Sequence, residues 1–453
     1  MSRSLCIFIM SIATLPTSCG DGKSTSSIKG SGDANGEAGG VSGSGGAGGH
    51  STPSDAWVDA RANDATRPDS SPDNAASIDA PSTQPSDANT GVALVNPAPG
   101  SRFFAGANFW RIDWEGTDDF FVSNIDWTKV TNPWQPQLLL DLAPYKVLRF
   151  MDWNLANSDP NPQGVWSTRT KKTQSQDAEP IAFEWQIDLC NRAQKDCWFS
   201  VPIQADATYE KSLAQLIYQL LDPGLRVYVE YSNEVWNEAF PQAAIALENA
   251  NRLDLPATPN SCCDTDTIKI GNAYVYGAVR LFEQFESVFG NGSPRLVKVL
   301  SGQAGRDGVC QVHMLALKNK TLNPNSTMPT VYAIAPYFGG TSIAELKADI
   351  ADSAKMTSAH VACVAQLKLP LVSYEGGSDS FAASSGCTRL QHDSGMLELY
   401  KAYYDAHSAA GMTGPFNQYT HVGACWGLKE KTSDSLSDSP KYQGMLDWLA
   451  AHP

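Results

Sequence analysis

Two glutamates stand where a chain could do acid–base and nucleophilic chemistry. The segment RVYVEYSNEVWN (226–237) is an apolar strand pattern ending in Asn233 and Glu234, and LPLVSYEGG (369–377) is a second one ending in Glu375. Far apart in sequence, the two carboxylates can meet only if both segments are strands of one structure with their C-termini at the same end. A facing pair of carboxyls supports one concrete chemistry. One carboxyl protonates the oxygen leaving an acetal carbon, while the other attacks that carbon or activates water. Either motif alone is more often a solvated helix start or a tight turn. Their occurrence together at two strand ends gives the pair its weight.

The elements that must position such a pair are legible as an alternation. Short apolar windows rich in Val, Ile, Tyr and Phe occur at 103–112, 146–153, 198–203, 226–231, 295–300, 331–338, 369–374 and 423–427. Between and after them run segments of helical period at 184–194, 213–221, 273–289, 343–366, 396–410 and 442–450. Eight strands alternating with helices predict an α/β fold, a (β/α)8 TIM barrel over residues 91–453, whose reactive groups sit on the loops after the strand C-termini. A doubly wound open sheet is the other solution. Against it, the first strand is followed by Gly106-Ala107-Asn108-Phe109-Trp110 and not by a Gly-rich phosphate turn.

With its glutamates on the fourth and seventh of eight predicted strands, the stretch from about residue 106 to 448 resembles glycoside hydrolase clan A, the retaining glycosidases built on (β/α)8 barrels. The resemblance implies that Glu234 is the proton donor and later the base, and that Glu375 is the nucleophile. By the same likeness Asn233 binds the sugar 2-hydroxyl, and Arg149, in VLRF (147–150), hydrogen-bonds the nucleophile. An adjacent cation would keep Glu375 ionised. Tyr337, in IAPYF (334–338), matches the tyrosine that orients the nucleophile, and Trp426, in ACWG (424–427) on the eighth predicted strand, matches the tryptophan beneath the reacting sugar. The run 197–236 also looks like a group of little-characterised exported bacterial proteins related to the clan. Family five of the clan has His-x-Tyr on strand six, where Ala335-Pro336-Tyr337 stands here, and a histidine near strand three, where Ile203 and Gln204 stand. A divergent family of the same clan is the better expectation.

Further residues could line a sugar cleft. Trp110, Trp114, Trp153, Trp166 and Trp236 lie at or after strand ends, where a flat face could stack on a sugar ring, although packing under long loops is an equal alternative. Asp152 and Asp206 could bind sugar hydroxyls or cap helices. Arg169, on the long loop 154–180, is expected to be a solvated loop residue before a contact to an acidic sugar. Seven histidines are present, but none accompanies a Gly-x-Ser-x-Gly turn, and a surface role is expected for His313, His360, His392, His407 and His421.

The 453-residue chain carries 33 basic against 48 acidic side chains, a formal charge of −15, which argues against nucleic acid as a partner. Residues 1–19 read as an export signal of bacterial lipoprotein type: Arg3, a short apolar run, then LPTSC with Cys19 as the lipidated residue. The apolar run is too short to span a bilayer, so contact with a membrane is expected only through the lipid. Residues 20–90, Gly/Ser-rich and then rich in Pro, Ser, Asp and Ala, form a disordered linker and spacer. Setting Cys6 and Cys19 aside, an even number of cysteines in an exported chain favours disulfides, with Cys190–Cys197 the first expectation. No C-x-x-C or histidine pair supports a metal, and no cofactor is expected. The expectation is an exported, retaining glycosidase at the outer membrane or cell surface, or secreted, acting as a monomer on a polysaccharide or oligosaccharide. A carbohydrate-binding protein on a silent barrel and a transglycosylase using the same pair are the alternatives.

Overall fold

A computed structural model of the chain describes residues 105–109, 120–257, 263–379 and 387–453. The export signal with Cys19, the linker, Trp110 and Trp114 lie outside the described residues. Eight parallel strands close into a barrel: β1 (Ala105–Asn108), β2 (Val147–Arg149), β3 (Asp196–Val201), β4 (Val227–Tyr231), β5 (Leu296–Ser301), β6 (Val331–Ile334), β7 (Leu371–Ser373) and β8 (Phe416–Gln418). Each strand pairs with its sequence neighbours, and β8 closes on β1, Ala105 facing Phe416. Helices fill the crossovers: α1 (Pro136–Asp141), α2 (Phe183–Ala193), α3 (Ala207–Leu220), α4 (Pro241–Arg252), α5 (Thr265–Phe289), α6 (Asp307–Lys318), α7 (Ile343–Val364), α8 (Cys387–Gln391) and α9 (Gly395–Ala409), with α10 (Pro440–Ala451) after β8. The expected (β/α)8 barrel is the observed fold.

The strands are short because only their buried parts need pair, and every residue of β4 is buried. Alternation then sends one side chain into the barrel and the next outward against the helices. The inward set includes Val147, Trp198, Tyr228, Val297, Val299, Val331, Ala333 and Val372, a core separate from the larger one between barrel and helices. Parallel register places Arg149 opposite Trp198 and Ser200 opposite Glu230, so the inward row near the C-terminal end of β2–β4 is polar. Helix starts are fixed by side-chain caps: Asp206 accepts from Tyr209 N at 2.7 Å, Asp264 from Thr267 N at 2.9 Å, and Ser342 from Glu345 N at 3.3 Å.

Two disulfides tie helices into this frame, Cys190–Cys197 from α2 to β3 and Cys310–Cys363 from α6 to α7. Cys425 is disulfide-bonded as well. They are consistent with an extracellular setting. Among the described residues no helix is long and apolar enough to cross a membrane.

The last strand differs from the expectation. It is Phe416–Gln418, and residues 423–427 form a turn instead, with Gly423 and Cys425 at positive φ. A three-residue strand carrying Asn417 and Gln418, both buried, shows no hydrophobic run to read. The windows 146–153 and 331–338 also shorten, to Val147–Arg149 and Val331–Ile334. The chain turns into a 3-10 helix at Asp152–Asn154 and, after β6, into Ala335-Pro336.

Candidate active site

The ends of β2, β4, β6 and β7 bring one network together around Arg149, a fully buried guanidinium. Its Nη1 donates to Glu375 Oε1 at 2.8 Å, and its Nη2 donates to Asn233 Oδ1 at 2.7 Å. Its Nε and Nη2 both reach Glu230 Oε2, at 3.1 and 2.8 Å. The second oxygen of Glu375 accepts from Tyr337 OH at 2.9 Å. Glu234 accepts from Tyr374 OH at 2.8 Å on Oε1 and from Asn237 Nδ2 at 2.9 Å on Oε2. Tyr374 precedes Glu375 in the chain, so one strand end supplies one glutamate and holds the other.

Local backbone makes this possible. Ser232 and Glu234 both lie at positive φ, 60° and 42°, a region that side chains other than glycine enter at a cost of about 1–3 kcal/mol each. The sharp turn they make at the end of β4 aims Asn233 at Arg149 and Glu234 at Tyr374. After β7, the Ser373 hydroxyl donates to the carbonyl of Glu375, and Gly376 lies against Tyr403, whose hydroxyl would clash with a Cβ.

Electrostatics follow from counting charges. One cation, Arg149, faces Glu230, Glu375 and, less directly, Glu234. Burial opposes the charge on Arg149, but Glu230 and Glu375 together hold its guanidinium above the ordinary range, fully protonated. Burial pushes the Glu375 carboxyl up to about 8; Arg149 pulls it down, while Glu234 and Asp152 push it up further. Burial likewise raises Glu234, against the hydrogen bonds from Asn237 and Tyr374. The expectation that an adjacent cation keeps Glu375 ionised is therefore corrected: Arg149 does lower the carboxyl, but burial outweighs it. Arg149 is shared with Glu230, and burial holds both Glu375 and Glu234 above the usual carboxylate value. Burial also raises Tyr337 and Tyr374 well above the ordinary phenol value, so both remain donors.

Other expected residues fall into three groups. Asp152, half-buried at the start of the 3-10 helix after β2, is close enough for its charge to act on Glu375. Trp236 is half-buried beyond Glu234 and its indole Nε1 has no hydrogen-bond partner. Trp426 is half-buried in the turn after β8, not on a strand, with its ring 6.1 Å from Tyr419. Asn233 is buried, and it also donates from Nδ2 to Asn157 Oδ1 at 3.1 Å, which leaves one amide N–H uncommitted.

Several expectations need correction. Trp153 is fully buried, stacked on Trp134 with centroids 6.1 Å apart and packed against Phe109, so it belongs to the core and not to a cleft. Asp206 is an exposed helix cap. Arg169 is not solvated: it is buried, paired with Glu184 at 2.7 Å and placed over the Trp166 ring, which itself packs edge-on to Tyr209. Of the histidines assigned to the surface, His313, His360, His407 and His421 are buried, held by bonds such as His313 Nδ1 to Tyr332 OH and Thr357 to His407 Nδ1. Only His392 is substantially exposed among the five.

Sequence reasoning passed over Glu230, Tyr374 and Tyr419. Glu230 carried a readable signal, an ionisable residue inside the otherwise apolar β4 run, in phase with the inward-facing Tyr228. Tyr419, the first residue after β8, donates from its backbone N to Gly376 O at 2.8 Å, and its phenol interacts electrostatically with Tyr337. Misplacing the last strand hid it.

No family model matches the chain, and no curated protein matches it. Among solved structures, it is similar to a 4-O-α-L-rhamnosyl-β-D-glucuronidase from Fusarium oxysporum (14% identity, 79% of this chain and 72% of that one, TM-score 0.46). It is also similar to a broad-specificity endoglucanase from Clostridium longisporum (11% identity, 77% and 97%, TM-score 0.41). A third is an endo-β-1,4-mannanase from Thermotoga petrophila (11% identity, 78% and 77%, TM-score 0.41).

Proposed function

We propose that the chain is a retaining glycosidase that cleaves a polysaccharide or oligosaccharide outside the cell. The observation that supports this reading most is the pair itself: Glu234 and Glu375, at the ends of β4 and β7, each held by two donors on separate elements. In the first step Glu375 attacks the anomeric carbon, the bond to the leaving oxygen breaks, and Glu234 gives that oxygen its proton. In the second, Glu234 takes a proton from water, which attacks the glycosyl ester and releases Glu375.

Division of labour within the raised pair suits this sequence. Arg149 and Tyr337 stabilise negative charge on Glu375, while Glu234 has only neutral donors, so the single shared proton belongs on Glu234 in the reactive form. This reading assigns Asp152, the remaining N–H of Asn233, Trp236, Trp426 and Tyr419 to the sugar. No cofactor takes part. Export and a lipid at Cys19, with residues 20–90 as the tether of a monomeric 91–453 enzyme, complete the proposal. The acid-rich chain suits a neutral or cationic glycan.

The test is release of reducing sugar from β-glucans, mannans, xylans, galactans and arabinans by the purified protein, with Glu375→Ala beside it. Hydrolysis of at least one glycan by wild type and none by the variant is expected. A well-folded wild type that binds a glycan without cleaving it would move the reading to a carbohydrate-binding protein. Products lengthened at high acceptor concentration would move it to a transglycosylase.

A further inference from the structure

We propose that Glu230 is a positioning residue of this site: from inside the barrel it fixes Arg149 and takes up part of that cation's charge, and so governs how firmly Glu375 is held as a carboxylate. The inference rests on the two-carboxylate reading above. Glu230 is fully buried on β4, four residues before Glu234, and belongs to none of the roles already assigned.

Its geometry is that of a clamp. A single oxygen, Oε2, accepts from Arg149 Nε and Nη2, from Trp198 Nε1 at 2.9 Å and from Ser200 Oγ at 3.3 Å. Arg149 thereby has one edge of its guanidinium committed to Glu230, leaving Nη1 for Glu375. The planar fork cannot rotate about its own axis without losing one of these bonds. A site needing only a rigid arginine could have used neutral acceptors; a full negative charge here changes what Glu375 feels.

The charged and titratable groups around this clamp are few. Arg149 faces Glu230 from β2, and Asp152 acts on Glu375 from the turn that follows. Trp198 and Ser200 on β3 are neutral. Tyr274 on α5, itself bonded to Ser301, senses the Glu230 charge. Glu234 lies beyond β4, Tyr337 after β6 with Tyr419 near it, and Tyr374 after β7. Arg149 is the one cation in this set. Removing the charge of Glu230 leaves it wholly to the reactive pair, which favours ionised Glu375.

The experiment compares wild type and Glu230→Gln across pH 4–9 in two readouts, kcat/KM on a glycan that the wild type cleaves and the melting temperature. The acid limb of the activity profile, which reports ionisation of Glu375, is expected to move down by about 1–3 pH units, the range an uncompensated neighbouring cation produces. A limb that stays put, or moves up because Arg149 has merely come loose, overturns the inference. If Glu230→Gln does not fold, Glu230→Asp carries the test: the charge remains but the reach shortens. A fall in kcat of at least about tenfold with KM nearly unchanged is then expected, and unchanged kcat overturns the inference. Should wild type cleave nothing, the glycosidase reading fails on its own. The melting temperature then decides for Glu230. A wild-type decline between pH 4.5 and about 8 that Glu230→Gln confines to lower pH supports the inference, and identical profiles overturn it.

Discussion

At the scale of single residues, the site is a problem of one proton and one cation among several carboxylates. Burial raises both Glu234 and Glu375, and the hydrogen bonds decide which of them bears charge. Tyr337 lowers Glu375 through its hydrogen bond, so Tyr337→Phe should raise that carboxyl further. We expect kcat to fall by about 10–100-fold, the loss of one charge-assisted bond of about 1.5–3 kcal/mol, with the acid limb of the pH profile moving up. A pH-rate series on the variant checks both. The same shift has a stability consequence. A carboxyl that ionises near 4.5 when unfolded and near 8 when folded keeps its proton longer in the folded chain. The folded state binds more protons between those values, so stability declines as pH rises through that window. Glu375→Gln should flatten the decline, which melting curves from pH 4 to 9 will show. An unchanged slope would remove Glu375 as its source.

At the scale of elements, the sequence reveals what alternation and capping encode and conceals what packing decides. Seven strands were readable because short, largely apolar runs stand out between helical segments, most strongly in the Val- and Tyr-rich β4, and α2, α7 and α9 match their helical periods within a residue or two. The eighth was not: its buried Asn417 and Gln418 look like loop, while the more apolar 423–427 is a turn. That one error displaced Trp426 from strand to loop and concealed Tyr419. Glu234, Glu375, Asn233, Arg149 and Tyr337 were legible as strand-end polar residues; the structure joins Arg149, Asn233, Glu375 and Tyr337 in one hydrogen-bonded network and holds Glu234 beside it through Tyr374 and Asn237. Whether a Trp such as Trp153 faces solvent or the core depends on Trp134 and Phe109, partners that no local pattern names. Asp206 tests this distinction between cap and site. Asp206→Ala should cost about 0.5–2 kcal/mol in urea denaturation, as a lost N-cap does, and leave KM for a cleaved glycan unchanged. A raised KM with unaltered stability would return Asp206 to the cleft.

At the scale of the whole molecule, a closed barrel explains how Arg149 and Glu375, 226 residues apart, come to share one hydrogen-bond network. The strands β2, β3 and β4 and the ends of β6 and β7 contribute that network's side chains, and closure of β8 on β1 completes the barrel that holds them. Two buried disulfides, Cys190–Cys197 from α2 to β3 and Cys310–Cys363 between α6 and α7, brace the frame around a centre that holds one arginine among three glutamates. The central claim is double displacement through Glu375, and the stereochemistry of the first product tests it most directly. Proton NMR during hydrolysis of whichever glycan is cleaved should show the newly released end first in the same anomeric configuration as the bond that was cut, before mutarotation. Initial release of the opposite anomer would contradict the account, since it would mean that water, and not Glu375, attacks the sugar.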